Sequence, residues 1–156
     1  MNRRQRTLAY ATLLALAVAC GPIGPFSGGR LAGEERSWPS SWQVAAELEQ
    51  IQLETRPDAP HSVNVWVVVV EASPFVATSL LMGADEPGER EWVRNVAANP
   101  LVRVRVGGFL YRARLETVTE EALRGRLVEA FRSKYPQLKV DRTSRALFYR
   151  IAPREG

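Results

Sequence analysis

The sequence predicts one α+β domain in which an antiparallel sheet closes into a small barrel and about three helices lie against it. Short segments that alternate apolar and polar residues are typical of strands with one face in the core. Gly107-Gly108 separates two such segments and suits the tight turn of a hairpin. Helical patterns occur between groups of strands, which indicates helices segregated from an antiparallel sheet. About 120 residues follow position 37, enough for one core but not for two domains.

The first half of the domain is predicted to hold one helix and three strands. One of the serines at 40–41 is expected to cap a short helix that ends near Glu49. Residues 51–55 alternate apolar and polar side chains, as a half-buried strand does. Residues 63–70 are rich in β-branched residues, which favours a central strand covered on both faces. A proline-containing turn then leads to a short return strand over residues 75–78.

The second half contains the hairpin and two more helices. Residues 89–98 place their apolar side chains on one side of a helix, and Pro100 ends it. Residues 102–106 and 109–118 form the two strands of the hairpin. The remaining predicted elements are a helix from a Thr119 cap to about Pro136 and a final strand over residues 145–151.

The N-terminus has the pattern of an export signal. Three arginines precede an apolar stretch over residues 8–18 that is too short for a permanent membrane span. It ends in Leu-Ala-Val-Ala-Cys, which resembles the lipobox of bacterial lipoproteins; a plain secretory signal with an incidental cysteine is the alternative. The sequence therefore predicts a signal peptide over 1–19, acylation at Cys20, a Gly/Pro-rich tether over 20–36 and the domain over 37–156. The expected location is the bacterial cell envelope, outside the cytoplasm and anchored to the membrane by lipid.

Composition excludes several classes of chemistry. Residues 1–19 hold three of the 21 basic residues and no acidic one. The rest of the chain therefore contains 18 basic and 17 acidic residues, a net charge of about +1, which disfavours nucleic-acid binding. With one histidine and one cysteine in the chain, a zinc site is not expected, and no metal is predicted. His61 is interpreted as an exposed turn residue. Trp66 and Trp92 are interpreted as core or rim packing because both lie in apolar periodic runs.

Four segments carry a resemblance to a known group of proteins. Residues 53–56, 78–79, 92–100 and 104–108 resemble the split β-barrel proteins, which include pyridoxamine-phosphate-oxidase-like flavoproteins and deazaflavin-dependent nitroreductase-like quinone reductases. The Trp-x-x-Asn-x-x-Ala-Asn-Pro stretch is the most specific of the four. The resemblance implies a split barrel, a homodimer, and FMN, a deazaflavin or less often haem in a groove beside the dimer interface.

The same resemblance implies candidate cofactor-binding residues. Thr78, Ser79, Arg94 and Asn95 lie where related barrels contact the phosphate or ribityl chain of the cofactor. Hydroxyl donors beside one guanidinium form a reasonable anion site, because arginine offers a planar fork of donors. The alternative is that Arg94 is solvated on the helix and that the two hydroxyl residues only complete a turn.

Two departures from the family pattern keep the function open. The deazaflavin-dependent proteins usually have a Gly-Arg-x-Ser-Gly turn after the first strand, and the turn at residues 56–61 lacks its glycines. The flavin oxidases usually have a lysine in the loop that corresponds to the one after residues 75–78, and that lysine is also absent. One hypothesis is a membrane-anchored flavin- or deazaflavin-dependent oxidoreductase that acts on a small substrate. The other is a non-catalytic binding or structural lipoprotein that keeps the barrel without a cofactor. The sequence names no catalytic residue.

The predicted hairpin carries a cluster of arginines. Arg103 is expected opposite Arg112, with Arg105 and Arg114 flanking them on the same face. Like charges directly opposite one another are destabilising, so this face requires compensation. Candidate partners are Glu116, Asp141, a second subunit or an anionic ligand.

Overall fold

The computed structural model describes residues 21–78, 87–137 and 145–154. Within these ranges the chain forms an α+β domain, as the sequence predicts. In chain order the elements are β1 (Glu34–Arg36), α1 (Gln43–Glu47), β2 (Gln50–Thr55), β3 (His61–Val70), β4 (Ser73–Ala77), one 3₁₀ turn (Pro87–Glu89), α2 (Glu91–Ala98), β5 (Leu101–Val106), β6 (Phe109–Thr117), α3 (Glu121–Lys134) and β7 (Phe148–Pro153).

Six of these strands close into an antiparallel barrel. Their order is β6-β5-β2-β3-β4-β7, and β7 also pairs with β6, which closes the sheet. The remaining strand, β1, runs parallel to the first half of β6. One edge of β6 therefore serves β1 and then β7, because Phe109–Tyr111 pair with β1 and Ala113–Thr117 pair with β7. The predicted barrel is confirmed.

Two tight turns set the strand register. Gly107 and Gly108 have φ angles of 58° and 88° and connect β5 to β6 with Val106 opposite Phe109, so the predicted hairpin is present. Glu71 and Ala72 also have positive φ angles, of 49° and 61°, and connect β3 to β4. This turn lies one residue before the predicted one, so Pro74 belongs to β4.

Other element boundaries shift by a few residues. The first helix is shorter than predicted, although the Ser41 hydroxyl does accept a hydrogen bond of 3.2 Å from the Gln43 amide. Thr119 does not cap α3, since Glu120 precedes the helix and makes no side-chain capping bond. The final strand begins at Phe148, later than predicted, because Phe148 is the first of its residues to pair, with Ala77, and Tyr149 then pairs with Thr117.

The core has two parts. The first fills the barrel and includes Leu53, Val67 and Val104, which are fully buried. The second lies between α3 and the strands beneath it, with Phe131 and Phe148 in contact at 5.6 Å between ring centroids. The second cluster holds α3 against β3, and the start of α2 borders a groove on the same strand.

The segment after Cys20 packs against the barrel rather than standing apart from it. Gly28 and Ser62 exchange two backbone hydrogen bonds of 2.8 Å, and the Leu31 side chain is buried. Proline and glycine do keep residues 21–33 out of regular strands and helices. The segment nevertheless packs closely because Leu31 offers apolar area and backbone groups find partners on β2 and β3.

The predicted signal peptide and Cys20 lie outside the described residues. Acylation and export therefore stay predictions. Across residues 21–78, 87–137 and 145–154, no helix has the length and hydropathy needed to cross a bilayer.

Candidate functional site

A groove of about 390 Å³ lies between β3, the end of β4, the start of α2 and the N-terminal segment. This volume is in the range of small-molecule sites. The residues that give it its chemistry are Asn64, Trp66, Ala77, Arg90 and Trp92, with Gly24 and Pro25 forming one wall.

The groove combines aromatic surface with a few polar groups. Trp92 is held by an edge-to-face contact with Tyr149 at 5.5 Å between centroids, and Trp66 is half-buried beside Tyr135. Both tryptophans pack against other side chains, as the sequence predicts, and both also border the groove. A planar ring with polar groups at its edge suits such a lining.

Arg90 supplies the positive charge of the groove. It is the N-cap residue of α2, so its guanidinium belongs to the end of the helix where the macrodipole is positive. Burial lowers the pKa of the Arg90 guanidinium, which stays charged at neutral pH. Glu91 also lies in the first turn, but its carboxylate contacts Arg56 at 3.4 Å and His61 at 3.5 Å. The start of α2 therefore contributes positive charge to the groove lining.

Two of the predicted cofactor-binding residues, Thr78 and Asn95, make hydrogen bonds within the domain. The Thr78 hydroxyl accepts a hydrogen bond of 2.8 Å from the Leu147 amide, and the Thr78 amide donates to the Leu147 carbonyl at 2.9 Å. The Asn95 amide group donates to the Thr55 hydroxyl at 2.9 Å and joins α2 to β2. Both residues are buried, and neither lines the groove.

The other two predicted residues do not join them. Arg94 is exposed and donates a hydrogen bond to the Glu89 carbonyl. Ser79 lies outside the described residues. A cofactor role for these residues stays a prediction, while the groove is bordered by their neighbours Ala77 and Arg90.

Sequence reasoning missed Arg90 and Asn64 as groove residues. Asn64 is the one polar side chain between Val63 and Val70, which is an available signal in a strand that otherwise reads as core. Arg90 precedes a helix start, but nothing in the sequence distinguishes it from Arg94. Only the position of the helix end against β3 separates the two.

His61 differs from its sequence interpretation. It begins β3, and its side chain is only 11% exposed. Its Nδ1 is buried without a hydrogen-bond partner among the described residues. Burial lowers the pKa of His61 from 6.5; Glu91 opposes this shift and Arg56 adds to it. His61 does not line the groove, so it belongs to a polar cluster beside the start of α2.

Three of the four arginines on the hairpin face contact carboxylates within the chain, and Arg105 donates to the Ala32 carbonyl instead. Arg103 lies opposite Arg112, as predicted, and makes two hydrogen bonds of 3.0 and 2.8 Å to the buried Glu54 carboxylate. Arg112 contacts Glu35 at 2.6 Å. The predicted partner Glu116 contacts Arg114 at 3.4 Å, whereas Asp141 lies outside the described residues. Pairing with acidic residues is therefore the correct interpretation of this face.

Comparison with protein-family models gives one match. The model of the F420H(2)-dependent quinone reductase family matches residues 53–152, well over half of the chain. The chain belongs to this family. The resemblance found in the sequence is thereby confirmed, and the fold is that of proteins that bind a flavin or a deazaflavin. Among curated protein sequences, none is significantly similar to the chain.

Solved structures show the same fold. The chain is similar to a putative pyridoxamine 5′-phosphate oxidase from Listeria innocua, with 13% identity, a TM-score of 0.55 and coverage of 72% of this chain and 90% of that one. An FAD-binding protein from Mesorhizobium loti matches with 16% identity, a TM-score of 0.53 and coverage of 72% and 86%. A protein described as an F420 reductase matches with 17% identity, a TM-score of 0.52 and coverage of 75% and 95%. These similarities establish the split barrel.

Proposed function

We propose that this chain is a membrane-anchored, F420H2-dependent oxidoreductase that passes a hydride from a deazaflavin to a quinone-type acceptor. The observation that carries the proposal is the groove at the start of α2, whose walls from β3, β4 and α2 lie within the segment matched by the family model. Trp66, Trp92 and Arg90 all belong to that segment.

The groove residues fit a deazaflavin. Its tricyclic ring needs apolar surface, which Trp66, Ala77 and Trp92 provide. Its polar ring edge needs an acceptor and donors; the Asn64 amide nitrogen already donates to the Gly24 carbonyl at 3.0 Å, which leaves the Asn64 amide oxygen to accept. Its side chain is anionic, and Arg90 carries the matching charge.

The role of the protein in this proposal is to bind and to orient. The reduced cofactor supplies the hydride, and the chain supplies a groove that holds the ring and limits access of water. Within the described lining, Arg90 is the one ionisable side chain, and it does not titrate near neutral pH. The described lining of the groove therefore contains no side chain that would donate a proton to the acceptor near neutral pH.

A titration with two arginine variants tests the site. The mature protein in detergent is mixed separately with F420, FMN and haem, and absorbance and fluorescence are followed. We expect saturable F420 binding that Arg90→Gln weakens about 10- to 100-fold, the loss of one charge-assisted contact. Arg94→Gln is the matched control, since Arg94 is exposed on the same helix. Weakening by Arg94→Gln alone would favour the sequence-based site over the groove.

A second candidate function has its own support. The turn where family members carry glycines begins here with Arg56, at a φ of 54°, and Arg30 donates to the Pro57 carbonyl at 3.2 Å. The N-terminal segment thus covers this turn, which would suit a binding lipoprotein without a redox cofactor. Failure of F420, FMN and haem to bind in the titration would favour that function.

The location and assembly of the protein are part of the proposal. The sequence pattern around Cys20 supports acylation there and attachment to the cell envelope, and the family resemblance supports a homodimer. Mass spectrometry of the mature N-terminus should find a diacylglyceryl group on Cys20, and Cys20→Ser should release the protein from the membrane fraction. Analytical ultracentrifugation in detergent should give twice the mass of one chain.

A further inference from the structure

A small hairpin directly after the predicted acylation site exposes two large apolar side chains. Ile23 and Phe26 are 72% and 74% exposed, well above other large apolar residues in the described ranges. Their backbones exchange hydrogen bonds of 3.1 and 3.0 Å. Gly24, with a φ of 55°, and Pro25 form the two-residue turn between them. The turn therefore presents both side chains on a defined backbone.

The hairpin is part of the folded domain. The Asn64 side chain donates to the Gly24 carbonyl at 3.0 Å, and the Gly28–Ser62 pair holds the chain that follows. Gly24 and Pro25 also form one wall of the groove. Whatever contacts Ile23 and Phe26 therefore fixes the orientation of the barrel and of the groove.

The short distance along the chain from Cys20 to Ile23 favours the lipid bilayer as the surface that the hairpin contacts. Ile23 follows Cys20 by three residues, which span at most about 10 Å when fully extended. Given the acylation proposed above, Cys20 lies at the bilayer surface, which would bring Ile23 and its hydrogen-bonded partner Phe26 close to that surface. We propose that the hairpin over residues 23–26 docks on the lipid bilayer, with both apolar side chains among the upper acyl segments.

The charge near the anchor agrees with a phospholipid surface. A Cβ atom at Gly21 would lie 3.6 Å from Nη2 of Arg105, so this guanidinium lies beside the chain one residue after Cys20. Arg105 donates from Nη1 to the Ala32 carbonyl, which orients the group while Nη2 faces Gly21. A guanidinium at this level is positioned to pair with lipid phosphates.

Docking of the hairpin would also set the orientation of the groove relative to the bilayer. Since Gly24 and Pro25 belong to both the hairpin and the groove wall, the groove opens beside the bilayer. If the proposed function holds, an acceptor dissolved in the membrane reaches the cofactor without crossing bulk water. The docking surface and the groove chemistry can be tested separately.

Site-directed labelling of the acylated full-length protein tests the docking. Its one thiol is blocked by the lipid, so Phe26→Cys accepts a single nitroxide, and Glu129→Cys on the exposed side of α3 serves as the control. The proteins are placed in vesicles of phosphatidylethanolamine and phosphatidylglycerol. We expect the label at 26 to collide with dissolved oxygen and to lose collisions with a water-soluble nickel complex, while the label at 129 keeps them.

Each other outcome overturns the proposal. Equal nickel collisions at both positions would place the hairpin in water. Spin–spin coupling at 26 that persists in detergent, with no gain in oxygen collisions in vesicles, would make the hairpin an interface between two copies. Nitroxide labelling of the unsubstituted protein would show a free Cys20 and remove the anchor. None of these readouts depends on a cofactor, so failure of docking is distinct from failure of the proposed function.

A kinetic readout links docking to the groove. Ile23→Ser combined with Phe26→Ser should slow reduction of a long-chain quinone embedded in vesicles several-fold, because the groove no longer sits against the lipid. Reduction of a short-chain, water-soluble quinone should be unchanged, and so should F420 affinity. Equal slowing with both quinones would show damage to the groove instead of loss of docking.

Discussion

The groove at the start of α2 and the arginine face of the β5–β6 hairpin both place guanidinium groups beside a depression in the surface. On the hairpin face, Arg103 and Arg112 lie opposite one another, and each contacts a carboxylate from another strand. The described lining of the groove contains tryptophan rings, amides and Arg90 but no carboxylate. The first arrangement pairs these two charges within the chain and serves the fold, and the second combines aromatic surface with a few polar groups, as small-molecule sites do.

The two pairs on the arginine face also differ in burial. The Glu54 side chain is 3% exposed and accepts hydrogen bonds from the Arg103 guanidinium and the Leu31 amide. Arg112 and Glu35 are 63% and 40% exposed. Removing one partner of a buried pair leaves a charge without compensation, while solvent screens an exposed pair. Substitutions at these positions therefore measure how far the comparison holds.

The largest expected effect is at the buried pair. Arg103→Met should lower the free energy of unfolding by about 3 kcal/mol, because Glu54 stays buried without its cation. The same change should loosen the N-terminal segment, since Arg103 also donates to the Leu31 carbonyl at 3.0 Å. Equilibrium unfolding in urea measures the first effect and amide hydrogen exchange at residues 28–33 the second. A loss well under 1 kcal/mol would mean that the pair is effectively solvated.

The second prediction tests whether Asn95 stabilises the fold or binds the cofactor in the groove. Asn95→Ala removes the hydrogen bond to Thr55 and leaves that hydroxyl with one partner fewer, so the free energy of unfolding should fall by about 1–2 kcal/mol. F420 affinity should stay within about twofold, because Asn95 does not line the groove. A large loss of F420 affinity with unchanged stability would instead support the cofactor role inferred from the family resemblance.

A pH-dependent contribution is expected from His61. Because burial lowers the His61 pKa below 6.5 in the folded protein, the unfolded chain binds the proton more readily. The stabilising contribution is therefore complete above pH 6.5 and is lost as the pH falls through the folded pKa. His61→Gln should flatten the stability profile between pH 5 and pH 7.5 in urea titrations at fixed ionic strength. A wild-type profile that rises toward low pH in this window would show that Glu91 outweighs burial.

The smallest effect is expected at the exposed pair. Arg112→Met should change the free energy of unfolding by less than about 1 kcal/mol, because Glu35 stays hydrated once its partner is removed. It also removes the like charge opposite Arg103, which offsets part of the loss. Urea unfolding beside Arg103→Met provides the direct comparison. A cost equal to that of Arg103→Met would remove the distinction between the two pairs.

Local patterns in the sequence were enough for the barrel and its family. Which side chains of a strand face the core depends on residues that are neighbours in the chain. This holds for the alternation over residues 102–106, the Gly107-Gly108 turn and the apolar run over residues 63–70. The motif at residues 92–100 added the family. The turn between β3 and β4 was predicted one residue too late, because Glu71 and Ala72 adopt positive φ angles that their side chains do not favour.

Contacts between distant parts of the chain were beyond these patterns. Glu54 contacts Arg103 because β2 pairs with β5 and places these two residues side by side. The sequence offered Glu116 as a partner for this face because Glu116 lies in the hairpin itself. The wall at Gly24 depends on the pairing of Gly28 with Ser62.

The sequence by itself thus determined the alternation of faces, the hairpin and the family, each of which depends on a short stretch of the chain, whereas the signal before Cys20 stays a prediction. Only the tertiary structure decided that Arg90, and not Arg94, borders the groove, and that the hairpin at residues 23–26 leaves its apolar side chains exposed. The reason is physical. Burial and charge pairing depend on which surfaces meet, and these surfaces come from segments that lie tens of residues apart.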